Sequence, residues 1–236
     1  MQKGLIFAFD LETTSVKPET TTPVQICLMS EYQGTRRILM NSLVRPGEAI
    51  QAGAREVHGI SDEMTKGAPD YAMAAWTAHL LGQQMGPEMV VTYNGKLFDQ
   101  PILDRCLGTP VFPGVTHIDV LDVAYRFFPG LSSHRLGNVY MEFFNKPLDK
   151  AHDASADVAA TLDLLKAIRV KIGMTLEQLA EDMATPKPYA VFPFGQPKGK
   201  LLQDVDKGWA IWALKSFGKM RPDLELSLRM VVDGTA

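Results

Sequence analysis

The chain has few cysteines and no long hydrophobic run. Only two of its 236 residues are cysteines, Cys27 and Cys106, too few for a disulfide framework or a cysteine-rich zinc site. Cys27 falls in a strand-like stretch and Cys106 in a helix-like one, so we expect buried free thiols. No apolar stretch approaches the roughly 18 residues of a membrane span, and the first residues do not resemble a signal peptide. These absences predict a reduced, cytoplasmic protein without a membrane partner.

A basic excess, which many nucleic-acid-binding proteins have, is also missing. The formal net charge is −3, but the charge is unevenly distributed. Residues 186–236 carry six lysines and two arginines against five acids, a net charge of +3, so the rest of the chain carries −6. Bound cations would offset part of that acidic charge. The distribution is therefore compatible with weak, metal-dependent and salt-sensitive binding of nucleic acid.

Apolar runs and turn residues predict an α/β fold. Three early strands with short connections are typical of an antiparallel start to a sheet. After them, strand and helix patterns alternate, which predicts a mixed sheet flanked by helices. The predicted strands are 3–9, 24–31, 36–44, 88–93 and 115–119. The predicted helices are 70–83, 97–107, 120–128, 136–144, 154–171 and 175–184.

A proline-rich stretch, Thr185-Pro186-Lys187-Pro188, predicts a domain boundary. The expected organisation is a main domain over 1–172, a helix and linker over 173–188, and a small C-terminal module over 189–236. A module of that size is marginal as an independent fold, so it is expected to dock on the main domain or on a partner. Trp209 and Trp212 are three residues apart on a helical pattern and are expected in the module's core.

Four carboxylates and one histidine, in three short segments, indicate the chemistry. Asp10 and Glu12 are two apart on a strand and share one face, where two buried like charges are costly unless a cation lies between them. Asp99 follows a strand and lies at the start of a predicted helix. Asp157 lies on the inward face of a long predicted helix that begins just after His152. Singly, each also fits a structural role. Together they predict a two-metal phosphodiesterase site, because hard cations prefer oxygen ligands and can bind the attacking and leaving oxygens.

These segments resemble the DEDDh family of 3′-to-5′ exonucleases over about residues 3–170. The resemblance implies a ribonuclease H-like fold with a mixed five-stranded sheet flanked by helices, plus the small C-terminal module. The motifs that carry it are Phe9-Asp10-Leu11-Glu12-Thr13-Thr14, Tyr93-Asn94-Gly95 through Asp99, and His152 with Asp157. The connecting segments Arg45-Pro46-Gly47 through Val57-His58-Gly59-Ile60, and His134-Arg135-Leu136, are also similar to the family.

The resemblance implies two Mg²⁺ or Mn²⁺ ions and a role for each motif residue. Asp10, Glu12 and Asp157 are expected to bind one ion, Asp10 to bridge to the second, and Asp99 to complete the metal site. His152 is expected to deprotonate the attacking water, as a histidine can do near neutral pH. The expected substrate-binding residues are Leu11, Thr13, His58, Asn94 and Phe98.

The C-terminal module resembles that of exonuclease X-like proteins, from Phe192 through Lys200 and on to Trp212, although Gln196 and Pro197 interrupt the usual lysine pattern. This favours the 3′ end of single-stranded DNA as the partner. RNA or short oligoribonucleotides remain an alternative, as does a non-cutting module that binds a 3′ end or a polymerase. A second copy of the chain or a repair protein is a further expected partner. The module is either a stabilising cap or a DNA-contacting element. In the second case, phosphates would be contacted by Lys198, Lys200 and Lys207.

Overall fold

A computed structural model describes residues 2–149 and 152–236. Five strands form one sheet in the order β3-β2-β1-β4-β5. The first three pair antiparallel, and β4 joins β1 in parallel and β5 in parallel. This confirms the predicted α/β fold with a mixed five-stranded sheet. The strands are β1 Gln2–Thr13, β2 Pro23–Tyr32, β3 Thr35–Leu43, β4 Pro87–Thr92 and β5 Thr116–Asp119.

The six predicted helices lie close to their expected positions. Two short helices form after β3, and the C-terminal residues form two more, the last of which was not predicted. Asp70 caps a helix as its pattern predicts, since its side chain accepts a hydrogen bond from the N–H of Ala72 at 2.9 Å. Among the described residues, no helix combines the length and apolar character that crossing a membrane requires. The helices are α1 Ala52–His58, α2 Asp62–Thr65, α3 Tyr71–Met85, α4 Asp99–Leu107, α5 Val120–Phe127, α6 Leu136–Phe144, α7 Ala154–Ile172, α8 Leu176–Ala184, α9 Lys207–Ser216 and α10 Pro222–Asp233, with a short 3₁₀ helix at Leu202–Asp204.

The sheet separates two hydrophobic clusters, and β1 contributes to both. Phe7 and Phe9 pack in the cluster that contains α3 and α4, whereas Ile6 and Ala8 pack in the cluster that contains α5 to α8. Burying a side chain such as that of Phe7 stabilises the fold by about 1.5–3 kcal/mol. Because side chains alternate along a strand, Asp10 continues the face that α7 covers. The apolar part of β1 therefore sets the direction in which its acidic end points.

Both cysteines are free, as predicted. Cys27 is fully buried in the sheet and Cys106 is half-buried on α4. Burial raises the pKa of the Cys27 thiol to about 12, so this side chain is an inert core group.

The C-terminal residues form a third cluster around Tyr189, Phe192 and Leu228, against which Tyr125 of α5 packs. The expectation that Trp212 lies in this core is wrong, because its side chain is 53% exposed. Two fully buried alanines of α9 occupy the inward face instead, and their small size lets α9 pack closely on α10. Trp209 is partly buried in the same cluster. The boundaries predicted at 172 and 188 stay a prediction.

Candidate active site

Residues from three distant segments meet at one edge of the sheet. The potential ligand atoms of Glu12, His152 and Asp157 all lie within 4.8 Å of one another. Asp10 precedes Glu12 by two residues on the same face of β1. Asp99 is the first residue of α4, and its Oδ1 accepts a hydrogen bond from the N–H of Leu11 at 3.0 Å. The structure thus brings together the four carboxylates and the histidine that the sequence singled out.

Burial and mutual repulsion dominate the electrostatics of these four carboxylates. Burial raises the pKa of Glu12 to about 8 and that of Asp99 to about 7, and Asp157 adds further repulsion at Glu12. Burial also raises the pKa of Asp157 to about 6 and that of Asp10 well above its usual range. No lysine or arginine in the described part of the chain forms an ion pair with any of the four. In their ionised forms, the four carboxylates are therefore costly to hold together, and a bound cation would remove that cost.

One oxygen of Asp157 fits a metal ligand. Its Oδ2 accepts a hydrogen bond from the backbone N–H of His152 at 3.1 Å, whereas its Oδ1 is buried and has no hydrogen-bond partner among the described residues. A buried carboxylate oxygen without a partner is costly. A hard divalent cation satisfies such an oxygen directly. The side chains at this site therefore fit a divalent cation.

His152 stands in a left-handed turn directly before α7. Its φ of +67° is uncommon for a residue other than glycine, and it costs roughly 1–2 kcal/mol. The hydrogen bond from its N–H to Asp157 holds the turn. Because the residue is exposed, its ring remains accessible to solvent on the edge of the acidic cluster. The backbone is thus fixed while the imidazole can exchange protons with water.

The turn before Asp99 has special backbone requirements. Asn94 has a φ of +68°, which asparagine tolerates better than most residues. At Gly95, an added Cβ would lie 2.4 Å from Oγ1 of Thr92, so only glycine fits there. The carboxylate of Asp119 accepts a hydrogen bond from the N–H of Asn94 at 2.8 Å. These contacts fix the path by which the chain leaves β4 and places Asp99 at the site.

Thr13 and His58 are hydrogen-bonded to each other, and both also make hydrogen bonds to the backbone. His58 Nδ1 accepts from the N–H of Ile60 at 3.0 Å, so Nε2 carries the proton that it donates to the carbonyl of Thr13 at 3.2 Å. Thr13 Oγ1 donates to the carbonyl of Ser15 at 2.8 Å. Burial lowers the pKa of His58, which favours the neutral ring. Both predicted substrate-binding residues therefore support the end of β1 through hydrogen bonds within the protein.

Leu11, Phe98 and Asn94, the other predicted substrate-binding residues, lie next to the carboxylates. The side chain of Leu11 is only 6% exposed and packs on the opposite face of β1 from Asp10, so its backbone N–H is what reaches the site. Phe98 is half-buried and directly precedes α4. Asn94 is exposed, and its Oδ1 accepts a hydrogen bond from Arg221.

Arg221 is the main residue of this region that the sequence patterns did not indicate. Its side chain is 9% exposed and pairs with the carboxylates of Asp119, at 3.6 Å, and of Asp122. Its guanidinium also lies 5.6 Å from the ring of Tyr125. The single hint in the sequence is its position just before Pro222, at the start of a helix, where the dipole disfavours a cation. An arginine there needs a strong partner elsewhere in the fold.

Comparisons with known proteins identify the class to which this fold and acidic site belong. The family model described as Exonuclease matches residues 7–165, more than half of the chain. The chain therefore belongs to the exonuclease family, and its domain is that of a nuclease. This confirms the family that the motifs indicated.

Two curated relatives show how far the similarity extends. Exodeoxyribonuclease 10 of Escherichia coli (strain K12) is 29% identical over 202 residues, which cover 83% of this chain and 86% of the relative. A PolC-type DNA polymerase III of Streptococcus pneumoniae (serotype 2, strain D39) is 26% identical over 196 residues. That match covers 80% of this chain but only 13% of the polymerase.

Solved structures support the fold assignment. Exonuclease I aligns with a TM-score of 0.62 at 20% identity over 79% of this chain and 44% of its own, so this chain spans less than half of that protein. Exonuclease X, solved in complex with 5′ overhanging duplex DNA, aligns with a TM-score of 0.55 at 21% identity. The alignment covers 75% of this chain and 98% of the exonuclease X chain. At these identities, the likeness establishes the fold.

Proposed function

We propose that this protein is a divalent-cation-dependent 3′-to-5′ exodeoxyribonuclease that releases nucleoside 5′-monophosphates. The observation that carries the proposal is the convergence of Glu12, His152 and Asp157 within 4.8 Å beside two further buried or half-buried carboxylates. Similarity to an exodeoxyribonuclease over 83% of the chain favours DNA as the substrate. Structural neighbours solved with DNA, among them E. coli exonuclease I with a dT13 oligonucleotide, support the same choice.

The carboxylates would hold two Mg²⁺ or Mn²⁺ ions. Asp10, Glu12 and Asp157 would ligate one ion, and Asp10 with Asp99 would serve the second. The buried oxygen of Asp157, which has no hydrogen-bond partner within the described ranges, and the raised pKa values of the cluster support this assignment. When bound, such ions lower the pKa of water and neutralise charge that builds on the phosphate in the transition state.

The protein's own residues position the reactants and move the proton. His152 would accept the proton of the attacking water, and its solvent-facing ring can pass that proton on. A general base of this kind contributes about 10²–10⁴-fold to the rate. Asp157 holds the turn of His152, and Asp99 holds the backbone of Leu11. Asn94 and Phe98 precede Asp99 in the chain and would contact the terminal nucleotide.

The test is a time course on 5′-labelled single-stranded DNA and RNA of one sequence, with Mg²⁺, Mn²⁺ or EDTA. We expect a metal-dependent ladder that shortens from the 3′ end of DNA, and nucleoside 5′-monophosphates as products. The variant His152→Ala should be slower by about 10²–10⁴-fold, with an unchanged circular dichroism spectrum. Wild-type rates in that variant, or shortening from the 5′ end, would contradict the proposal.

Other outcomes of the same assay select among the alternatives. Faster digestion of RNA would assign the protein to the exoribonucleases. Metal-independent binding of a 3′ end without any product would favour the non-cutting module. The expected second copy or polymerase or repair partner stays a prediction, as does the cytoplasmic location.

A further inference from the structure

Two reciprocal ion pairs fix the C-terminal residues to the exonuclease domain. Asp122 and Arg126 lie one turn apart on α5, and Arg221 and Asp223 lie at the start of α10. Arg126 binds both carboxylate oxygens of Asp223, at 2.6 and 2.8 Å, while Arg221 binds Asp122 in the opposite sense. All four side chains are largely buried, so the geometry of each pair is closely specified. The C-terminal residues are therefore a fixed wall rather than a loose appendage.

A large cleft opens beside these contacts, between the C-terminal residues and the exonuclease domain. It encloses about 1120 Å³ and runs from His152 and Asp157 to residues of the C-terminal cluster such as Phe194 and Met220. Pockets for a single small molecule usually enclose ~300–1,000 Å³. The cleft is thus larger than one mononucleotide needs, and it is continuous with the proposed site of cleavage.

The charge of the cleft is opposite to that of the chain. Asp157, at the catalytic end, is the only carboxylate among its described lining residues. Arg135, Lys198 and Lys219 line it as well, and none of the three forms an ion pair with a described carboxylate. Lys198 reaches across to donate a hydrogen bond to the carbonyl of Ser132. Although the whole chain has a net charge of −3, a cleft with this positive lining favours the binding of a polyanion.

Aromatic rings line the cleft together with these cations. Tyr93 and Tyr125 line the domain side, and Phe194 and Phe217 line the opposite wall. The rings of Tyr125 and Phe194 lie 5.1 Å apart and bridge the two walls. Cations that contact phosphates together with rings on which bases stack are the usual means of binding a single strand.

We propose that this cleft binds the single-stranded DNA on the 5′ side of the scissile phosphate, with Lys198 and Lys219 contacting backbone phosphates. The proposal rests on the proposed function and gives the C-terminal module a role as the second wall of the substrate cleft. It also replaces part of the expectation from the sequence. Lys200 and Lys207 do not line the cleft, whereas Lys219 does.

The direct test is equilibrium binding of a fluorescein-labelled oligothymidylate in EDTA, followed by anisotropy over a range of salt concentrations. We expect the double variant K198A/K219A to bind about tenfold more weakly, with a slope of log affinity against log salt shallower by about 1.4. The matched control is K166A/K215A, which removes two exposed lysines outside the cleft and should bind as the wild type does. Equal loss in the two double variants, or no loss in K198A/K219A, would overturn the proposal.

An activity ratio separates this proposal from the proposed function. The preference for a long oligothymidylate over a dinucleotide, as a ratio of kcat/KM values, should fall about tenfold in K198A/K219A and stay constant in K166A/K215A. If no DNA is cleaved but K198A/K219A still loses binding and salt dependence, the proposed function fails and the cleft assignment stands. If cleavage is metal-dependent and both double variants keep the wild-type ratio and affinity, the function stands and the cleft assignment fails.

Discussion

The molecule has two buried acidic clusters, and they are balanced in different ways. One lies at the end of β1 and comprises Asp10, Glu12, Asp99 and Asp157. The other lies between α5, α8 and the start of α10 and comprises Asp119, Asp122, Asp182 and Asp223. In the second cluster, Arg126 and Arg221 pair with all four carboxylates. In the first, the described residues supply no arginine or lysine.

The comparison separates structural acids from functional ones. Burial alone does not, because Asp122 and Asp157 are similarly buried and burial raises the pKa of each to about 6. What differs is the counter-ion. An arginine is a permanent part of the fold, and it makes the second cluster a clamp between two parts of the chain. A cluster without one can exchange cations and bind an anionic substrate through them, which is what phosphodiester cleavage requires.

Removing one acid from the first cluster should have the largest effect. Asp10→Asn should reduce the rate of DNA cleavage by at least about a thousandfold, because the side chain keeps its shape but loses the charge that holds a cation. The rate is measured at saturating Mg²⁺. Asp163→Asn on α7 is the matched control, since this acid pairs with Arg36 on the surface, and it should cleave at the wild-type rate. Similar rates in both variants would show that cleavage does not depend on the first cluster.

Removing an arginine from the second cluster should destabilise the protein. Arg221→Met leaves Asp119 and Asp122 buried without their cation, which should lower the free energy of unfolding by about 3–5 kcal/mol. Chemical denaturation in EDTA measures this change. Arg229→Met breaks an exposed pair with Glu225 and should cost no more than ~1 kcal/mol. Equal costs for the two variants would mean that the interface pairs do not clamp the C-terminal residues.

Replacing Glu12 should change the free energy of unfolding in the opposite direction to Arg221→Met, and by a smaller amount. The charge of Glu12 is buried and repelled by Asp157 and Asp99, so Glu12→Gln should raise the free energy of unfolding in EDTA by about 1–2 kcal/mol. Saturating Mg²⁺ should stabilise the wild type more than the variant and so cancel this advantage. The measurement is thermal unfolding with and without the metal. A variant that is less stable than the wild type in EDTA would show that the first cluster carries no electrostatic cost.

The first cluster was predictable from the sequence because local patterns place each of its members. Alternation along β1 puts Asp10 and Glu12 on one face, and helical spacing puts Asp157 on the buried face of α7. The family resemblance then joins the segments. The positions of the strands followed from the same patterns, since each is an apolar run between turn residues.

The second cluster was not predictable, because its partners are far apart along the chain. Arg221 and Asp122 are separated by 99 residues, and no periodicity connects them. The exposure of Trp212 was missed for a related reason. Spacing defines a face of α9 but does not tell which face packs inward, and here small alanines are buried in preference to the large ring.

The most direct test of the account is where a divalent cation binds. Crystals soaked in Mn²⁺ with a nucleoside 5′-monophosphate would reveal the ion in an anomalous difference map. We expect peaks among Asp10, Glu12, Asp99 and Asp157 and none at the arginine-paired cluster around Asp122. No peak at the first cluster, or a peak only at the second, would contradict this expectation.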